Sequence, residues 1–369
     1  MKTHKFLESE IEMKKTNKPF DSTRDVVLEH VNAYPKLQPQ DIFKLLFQSA
    51  FGCEHLVSSF ETALKYINAE YSNICKTEKA KIEKLDGGYK RVYLSCLNQG
   101  LRSETLAKLF CLSAKTEPEG RAFLEEKLQG VNQLLAENKL PFDENLYTKS
   151  LKTWREAGYP AVHHSQVFRD EYKPAYRVIT DLYADFLPIF TQIDRLLDKG
   201  NVVVALEGGS ASGKTTLAGI LEDVYSANVI HMDDFFLRPN QRTAERLAEV
   251  GGNVDRERFY DEVIKPLNAR ETITYSPFDC STQTLKEPVT LQSKKLTVIE
   301  GVYSTHPAFS KYYDLAIFLD IDKSLQKARV LKRNTPAFAK RFFEEWIPLE
   351  DIYFEKTQIK ERCFNQIIK

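Results

Sequence analysis

A glycine-rich turn after an apolar run is the feature that most limits what this chain can fold into. Residues 208–215 read Gly-Gly-Ser-Ala-Ser-Gly-Lys-Thr and follow the apolar run Val202–Leu206. The spacing Gly-x-x-x-x-Gly-Lys-Thr is that of a P-loop, in which a strand leads into the turn and a helix follows it. Gly208 and Gly213 allow backbone angles at which successive N–H groups point at one phosphate. The motif predicts a site for the phosphates of a nucleoside triphosphate.

The residues after the turn favour this interpretation over a chance match. Apolar positions recur at helical spacing from Leu217 to Val224, which predicts a helix over Lys214–Tyr225 with an anion-attracting N-terminus. In such loops the lysine neutralises β- and γ-phosphate oxygens and the hydroxyl ligates Mg²⁺, so Lys214 and Thr215 are predicted to do so here. The residues predicted to bind the nucleotide are Gly208, Gly209, Ser210, Ala211, Ser212, Gly213, Lys214, Thr215 and Thr216.

The composition limits the classes of protein that fit. The 369 residues suggest two or three domains, and 42% hydrophobic with 28% charged residues is ordinary for a globular protein. Lys and Arg total 52, as do Asp and Glu, so no nucleic-acid partner is expected. No signal segment, long apolar window or Cys-x-x-Cys pair is present. We therefore expect a cytoplasmic protein without a membrane partner, and a homo-oligomer stays open.

The pattern changes near residue 200, which predicts three parts. Residues 1–22 are a polar arm, 23–198 a mostly α-helical domain, and 199–369 a doubly wound α/β domain with a parallel sheet. In the helical part, apolar residues recur at spacings of three and four, and the last such stretch runs from Val178 to Leu197. The segment Asp198–Asn201 indicates the end of a helix followed by a turn.

The last part alternates short apolar strands with helices. Strands that are apolar throughout are typical of a parallel sheet covered on both faces. The predicted strands are Val202–Leu206, Asn228–Met232, Leu296–Ile299 and Leu315–Leu319. The predicted helices are Lys214–Tyr225, Arg256–Leu267, Ser324–Arg333 and Glu350–Gln366.

Carboxylates follow three of these strands, at the sheet edge where ligands collect in open α/β folds. Asp233 and Asp234 follow the second strand and Glu300 the third. A kinase needs one carboxylate to orient or deprotonate the attacking hydroxyl and another to hold Mg²⁺, directly or through water. Asp233 and Glu300 are the candidates, whereas Asp320 and Asp322, after the fourth strand, are interpreted as caps of the next helix.

These residues resemble the uridine kinase and phosphoribulokinase family of P-loop kinases. The shared features, in chain order, are the loop at 208–216, Asp-Asp-Phe-Phe at 233–236, Ile-Glu-Gly at 299–301 and the segment 313–320. The resemblance covers about residues 200–369, and the helical half resembles no family that we identify. It implies a P-loop kinase domain that uses ATP and Mg²⁺ and a small hydroxyl-bearing acceptor.

The resemblance also implies roles for individual residues. Asp233 resembles the family's catalytic base and Glu300 its second acidic residue near the metal, which Thr215 and Asp233 would also approach. Lys214 is the corresponding catalytic lysine. Asp234 stands where the family has a small polar residue, so it is the fallback base and a candidate substrate contact.

Three arginines fall where the family's lid would close over the phosphates. They are Arg329, Arg333 and Arg341, and the first two, four residues apart, share one helix face. The resemblance implies that one or more of the three closes over the phosphates and stabilises the transferring phosphoryl group. A solvated basic helix face is the competing interpretation.

The substrate segment departs from the family pattern. Phe278 and Asp279 match part of the segment that contacts the nucleoside in uridine kinases, and Arg258 could bind an anionic substrate. However, Gln283 and Leu285 replace the expected histidine and arginine, so the acceptor is a nucleoside or another alcohol. ATP is favoured over GTP because the guanine-reading Asn-Lys-x-Asp element is absent.

The helical half carries two clusters of polar residues without a recognised function. One is Cys53-Glu54-His55, and the other contains His163 and His164. A metal site, a polar ligand pocket that also uses Arg169 and Asp170, and simple capping of helices and loops all stay open.

The prediction is an ATP-dependent phosphotransferase that moves the γ-phosphate to a hydroxyl of a small metabolite. A nucleotide-gated regulator with the helical domain as its sensor is the alternative. The presence of Asp233 and Glu300 favours the enzyme, because a switch needs no base directed at a hydroxyl. A separate catalytic role of the helical half also stays open.

Overall fold

The chain divides into two compact units, Met1–Asp194 and Arg195–Lys369. The computed structural model describes residues 21–115 and 119–368. Most of the polar arm predicted over 1–22 therefore lies outside the described residues, and the first helix begins at Asp21.

The first unit is mostly helical and contains one small antiparallel sheet. Its helices are α1 Asp21–Ala33, α2 Pro39–Phe51, α3 Phe60–Tyr71, α4 Ser103–Ser113, α5 Gly120–Ala136, α6 Glu144–Glu156, α7 Gln166–Tyr172, α8 Asp181–Asp185 and α9 Leu187–Leu197, whose last residues belong to the second unit. Its strands, adjacent in this order, are β1 Ile82–Lys84, β2 Tyr89–Tyr93 and β3 Tyr176–Thr180.

The helix predicted to start at Val178 is wrong in its first turn. Tyr176–Thr180 instead forms β3, in which Val178 pairs with Arg91 of β2. Aromatic and β-branched residues suit a strand whose side chains are buried, and the pairing with β2 outweighs an apolar spacing that also fits a helix.

The second unit contains a five-stranded parallel sheet. Its strands are β4 Val202–Gly208, β5 Asn228–His231, β10 Leu296–Glu300, β11 Leu315–Ile321 and β12 Phe364–Ile368, in the spatial order β12-β11-β4-β10-β5. Short antiparallel pairs join β6 Ile273–Tyr275 to β9 Val289–Leu291 and β7 Phe278–Asp279 to β8 Thr284–Leu285. The helices are α10 Lys214–Tyr225, α11 Ala244–Ala248, α12 Arg256–Phe259, α13 Lys265–Ala269, α14 Lys323–Arg333, α15 Pro336–Arg341, α16 Ile347–Thr357 and α17 Ile359–Arg362.

The strand order places a crevice beside β4. From β4 the chain crosses to β5 on one side, returns to β10, and then passes to β11 on the other side. Right-handed crossovers put α10 on one face of the sheet and the later connections on the opposite face. On that opposite face, Ile230, Ile299 and Phe318 of the sheet pack with Phe259 and Tyr353. Ligands bind outside the carboxyl ends of strands where the order reverses, which is the end at which β4 enters the P-loop.

The helix predicted over Glu350–Gln366 is wrong in its last turn. The helical part ends at Arg362, and Phe364–Ile368 forms β12, parallel to β11. The strand lies at the sheet edge and is only half buried on alternate residues, so it lacks the continuous apolar run that identified the inner strands.

The predicted fold class is confirmed: a mostly helical unit precedes an α/β unit built on a parallel sheet that is consistent with a P-loop kinase domain. No helix within the described ranges has both the length and the apolar character that a membrane span needs.

Candidate active site

The predicted P-loop joins β4 to α10 with the backbone that its glycines allow. Gly208 has φ 143° and Gly213 has φ 96°, both in the region that side chains disfavour. A Cβ at Gly208 would also lie 2.7 Å from the carbonyl oxygen of Leu319. Both predicted glycine positions are therefore required by the turn.

Lys214 lies against its own loop. Its side chain is buried, and Nζ donates to the carbonyl oxygens of Gly208 at 2.8 Å and Gly209 at 3.0 Å. Two buried hydroxyls nearby, Ser212 Oγ and Thr216 Oγ1, have no hydrogen-bond partner among the described residues. Buried hydroxyls normally bond to something, so a loop with an ammonium group and two unused hydroxyls fits phosphate oxygens.

Thr215, Glu300 and His231 form a hydrogen-bonded chain at the ends of three elements. Thr215 Oγ1 donates to Glu300 Oε1 at 3.1 Å, and the same oxygen lies 2.6 Å from His231 Nδ1. The parallel register explains the contact, because Glu300 ends β10 opposite His231, which ends β5. Burial alone would raise the pKa of Glu300, but the His231 hydrogen bond and the charge of Lys214 hold it below its usual value. Glu300 is therefore an ionised carboxylate beside the hydroxyl predicted to bind Mg²⁺.

Asp233 lies in the short 3₁₀ turn Met232–Phe235 that follows β5. Its side chain is exposed, yet the surrounding protein atoms and the charge of Glu300 raise its pKa, against the opposing charges of Lys214 and His231. These charges act on one another, so the structure brings Asp233, Glu300, Lys214 and Thr215 to the same strand ends.

His231 is a contributor that the sequence interpretation missed, and it controls the charge of this site. Its hydrogen bond to Glu300 raises the pKa of His231, and its positive charge lowers the pKa of both Glu300 and Asp233. We expect His231→Gln to move the acid limb of the pH–turnover profile to higher pH, because both carboxylates then gain protons more readily. An unchanged acid limb in the kcat profile would contradict this role.

Asp234 points elsewhere than Asp233. Tyr275 OH donates to Asp234 Oδ2 at 3.4 Å, and burial raises the pKa of this carboxyl. Arg258 donates to the carbonyl oxygens of Asp234 at 2.5 Å and Ser276 at 2.7 Å, so it holds the turn that carries Asp233. The guanidinium predicted to meet an anionic substrate is thus engaged by the backbone.

The predicted substrate pair Phe278 and Asp279 forms β7. Phe278 is buried, and the carboxylate of Asp279 accepts from the backbone N–H of Ser281 at 2.8 Å and lies 3.4 Å from Lys286 Nζ. These contacts stabilise a hairpin, and a substrate role for the pair stays a prediction. The exposed Cys280 lies within electrostatic reach of Asp233, which raises its thiol pKa after the larger effect of burial.

The three lid arginines occupy different positions. Burial lowers the pKa of Arg333, and the negative charges of Asp233 and Glu350 act against this effect. Arg329 donates to the Ala211 carbonyl oxygen in the P-loop at 3.3 Å. Arg341 pairs with Glu345 on the protein surface. Arg333 is therefore the lid arginine on which the charge of the candidate base acts, and its guanidinium lies 5.5 Å from the Phe342 ring centre.

We expect Arg333→Ala to lower kcat by about 10²-fold, the effect of removing one preorganised donor from a developing charge. The matched control is Arg341→Ala, because Arg341 contacts Glu345 and the Trp346 ring, and its kcat should be unchanged. Steady-state rates at saturating ATP check both variants. Equal losses in the two variants would show that the lid arginines act only through folding or solubility.

Glu350 is a second residue that the sequence interpretation missed. It lies in α16, is buried, and accepts hydrogen bonds from both the backbone N–H of Ser210, at 2.8 Å, and the Ser210 hydroxyl. Gln326 of α14 donates to the Ser210 carbonyl oxygen at 2.8 Å. The helices α14 and α16 therefore hold the first half of the P-loop. No sequence motif indicates these contacts, because the partners are 116 and 140 residues away from Ser210.

Glu350→Ala is expected to raise the KM for ATP about tenfold, equivalent to about 1.4 kcal/mol, because Ser210 loses its acceptor and the loop its preorganised shape. Glu350→Gln keeps an acceptor oxygen and should stay close to the unmodified protein. The control is Asp351→Ala, since Asp351 pairs with Lys323 at the surface. A Gln variant as impaired as the Ala variant would contradict the positioning role.

Glu207 is a buried carboxylate that stabilises the start of the P-loop. This wholly buried residue, the last before Gly208, accepts from Gly208 N–H, from the N–H groups of Tyr303 and Thr305, and from the Tyr353 hydroxyl. Burial raises its pKa to about 7 despite these donors. It ties the loop to the turn after β10 and to α16.

Asp322 caps α14 through the N–H groups of Ser324 and Leu325, as predicted, whereas Asp320 pairs with Lys360. Within the described ranges, no three His, Cys, Asp or Glu side chains form a metal-binding cluster. Mg²⁺ in nucleotide sites is held by one or two protein groups together with phosphates, so Thr215 with Glu300 still fits.

The two polar clusters of the helical unit do not converge. Cys53 follows the C-terminal end of α2, where its thiol donates to the Phe110 carbonyl oxygen, and the exposed His55 packs edge-on against Phe47. His164 instead bonds to Asp41 in the first turn of α2. Asp41 lies in the first turn of the 13-residue α2 and Cys53 follows its last turn, so a metal site shared by Cys53 and His164 is wrong.

Comparison with known proteins adds a relative for part of the chain. No protein-family model matches it. Over 141 residues the chain is 29% identical to uridine-cytidine kinase-like 1 of Mus musculus. The aligned segment covers 36% of this chain and 26% of the relative. The chain thus spans about a quarter of that relative's length. The match confirms the resemblance to uridine kinase-like P-loop kinases.

Two solved structures also align with about half of the chain. One is described as a possible uridine kinase from Bacillus stearothermophilus, with TM-score 0.37 and 23% identity over 49% of this chain and 100% of that one. The other is described as a candidate fructose transport system kinase from Silicibacter sp., with TM-score 0.38 and 19% identity over 48% and 96%.

Proposed function

We propose that this protein is an ATP-dependent phosphotransferase that moves the γ-phosphate of ATP to a hydroxyl of a small metabolite. The observation that carries the proposal is the meeting of Lys214 and Thr215 with Glu300 and Asp233 at the carboxyl ends of β5 and β10. A nucleotide switch needs the first two residues but not an exposed carboxylate with a raised pKa beside them.

Each of these residues has a separate role in the proposed reaction. Lys214 binds the β- and γ-phosphate oxygens, and Thr215 and Glu300 would hold Mg²⁺, which offsets phosphate charge when bound. The oxygen of the acceptor hydroxyl bonds to the γ-phosphorus while Asp233 accepts the hydroxyl proton. The bond between the γ-phosphorus and the oxygen that joins it to the β-phosphate breaks, and ADP is released. Arg333 stabilises the charge on the transferring group.

The acceptor class is a further part of this proposal. The name of the mouse relative refers to uridine and cytidine, so nucleosides are the first acceptors to test. Gln283 and Leu285 replace the histidine and arginine of that family's substrate segment, and Asp279 is engaged by Ser281. We therefore propose an acceptor hydroxyl on a nucleoside or on another small alcohol.

The test is incubation with ATP and Mg²⁺ plus a panel of nucleosides, sugars and vitamin alcohols, with mass spectrometry of the products. We expect acceptor-dependent ADP release matched by a phosphorylated product. Tight ATP binding without acceptor-dependent ADP release over a broad panel would reject the enzyme and support the switch. The Asp233→Asn protein is the control for contaminating kinases.

A further inference from the structure

The helix α16 reaches the P-loop through two polar side chains on one of its faces. Glu350 and Tyr353 are the buried residues of this helix, and their spacing of three puts them on the same side of it. Two apolar residues of the helix, Leu349 and Ile352, are 52% and 45% exposed. Because the buried face carries a carboxylate and a phenol, the partners of these two groups decide where the helix lies.

The two side chains hold the P-loop on either side of its first two glycines. Glu350 accepts hydrogen bonds from the backbone N–H of Ser210, at 2.8 Å, and from the Ser210 hydroxyl. Tyr353, which is wholly buried, donates its hydroxyl to Glu207 Oε2 at 3.1 Å. Glu207 and Ser210 flank the two glycines, so one face of α16 is bonded to both ends of that short segment.

The segment between these contacts holds the ammonium group of Lys214. Lys214 Nζ donates to the carbonyl oxygens of Gly208 at 2.8 Å and Gly209 at 3.0 Å. A shift of either flanking residue would move the carbonyl oxygens on which the ammonium rests. The position of α16 therefore bears on the group that is proposed to bind the β- and γ-phosphates.

Tyr353 also supports the turn that follows β10. Its ring packs against the ring of Tyr303, with 4.7 Å between the ring centres. Tyr303 has φ 74°, which a bulky side chain rarely adopts, and its N–H donates to Glu207 Oε1 at 3.2 Å. The turn begins directly after Glu300, whose carboxylate accepts from the Thr215 hydroxyl. Tyr353 and Glu207 together thus hold a strained residue next to the proposed metal ligands.

We propose that Tyr353 is a positioning residue of the nucleotide site. Its hydroxyl fixes α16 at Glu207, so that Glu350, one turn earlier in the helix, stays bonded to Ser210 and the glycine carbonyls keep Lys214 in place. This role rests on the proposed function in one respect, that the loop binds ATP, and it requires no identified acceptor. Tyr353 and Glu350 then act as one unit, and the effects of removing their contacts do not add.

The test is a double-mutant cycle on the full chain, measured by calorimetric titration with ATP in the presence of Mg²⁺. Tyr353→Phe keeps the ring and loses only the hydroxyl, and we expect it to weaken ATP binding about fivefold, the effect of one lost hydrogen bond. In the Glu350→Ala background the same change should alter the affinity by less than about twofold, because the contact that Tyr353 supports is already absent. Additive effects, or a Tyr353→Phe protein that binds ATP as the parent does, would overturn the proposal.

Tyr313→Phe is the matched control for the loss of a phenol hydroxyl. The Tyr313 hydroxyl donates to the Ser304 carbonyl oxygen at 2.7 Å, in the same turn but away from α16. This variant should bind ATP as the parent does, and a loss equal to that of Tyr353→Phe would overturn the proposal. Should the double variant fail to fold, hydrogen–deuterium exchange without nucleotide decides. Amides of residues 208–213 should exchange faster in Tyr353→Phe than in the parent, and unchanged exchange would also overturn the proposal.

The cycle separates this role from the proposed reaction. A parent chain that binds ATP but phosphorylates no acceptor would reject the kinase, and the binding cycle would still decide the role of Tyr353. A parent chain that binds no ATP would overturn both proposals.

Discussion

Asp233→Asn is expected to lower turnover by about 10²–10⁴-fold, the contribution of a general base, while ATP binds almost as before. Asparagine keeps the size of the side chain but cannot accept the proton of the acceptor hydroxyl. ATP affinity should persist because the phosphate contacts lie in the loop, where Lys214 bonds to Gly208 and Gly209.

Asp234→Asn is the matched control for that variant. The two carboxylates are adjacent, but Asp234 receives a hydrogen bond from Tyr275, whereas Asp233 interacts with Glu300, Lys214 and His231. Single-turnover rates and equilibrium ATP binding of both variants decide the assignment. If Asp233→Asn keeps its rate and Asp234→Asn loses it, the neighbouring carboxylate is the base.

Asp233 also sets an expected pH dependence. A general base acts in its deprotonated form, and surrounding protein together with Glu300 raises the Asp233 pKa above its usual value. Turnover should therefore be complete above that raised pKa and fall as the pH drops through it. The acid limb should vanish from the residual rate of Asp233→Asn.

Lys214→Met is expected to lower kcat/KM for ATP by about 10²–10³-fold, the loss that follows removal of one preorganised cationic donor. Methionine retains the apolar stem, so the buried side chain keeps most of its packing. What is lost is the ammonium that lies among the loop carbonyls and acts electrostatically on Glu300.

Lys199→Met serves as the control for that variant, because Lys199 is an exposed lysine in the turn before β4. Steady-state kinetics over a range of ATP concentrations should leave Lys199→Met unchanged. A Lys214→Met protein with the kcat/KM of the unmodified chain would exclude the loop from catalysis.

The inner strands and the loop could be predicted because local sequence determines them. Val202 to Leu206 is apolar throughout, and the following glycines leave one backbone path into α10, whose bounds match the prediction. Asp233 and Glu300 could be placed because parallel strands bring their carboxyl ends to one edge.

Long-range partners could not be predicted in the same way. Glu350 and Gln326 reach Ser210 from helices far along the chain, and neither residue type nor spacing announces such a contact. The roles of the lid arginines likewise depend on helix packing, which brings Arg333 within electrostatic reach of Asp233 and leaves Arg341 with Glu345. The strand β12 could not be predicted because an edge strand needs fewer apolar residues than an inner strand.

In the helical unit, periodicity identified helices but not their polar contacts. His164 belongs to a polar cluster that the sequence shows, yet its partner Asp41 lies 123 residues earlier in the chain. Apolar spacing also misassigned Val178–Thr180, because a short buried strand and a helix can have the same apolar composition.

The most direct test of the account is hydrogen–deuterium exchange of the unmodified chain with and without ATP and Mg²⁺. Peptides covering residues 207–217 should exchange more slowly when the nucleotide is present, since amide groups of that turn would then bond to phosphate oxygens. Exchange in this segment that ATP leaves unchanged, with protection confined to other regions, would contradict the placement of the triphosphate and the catalytic roles built upon it.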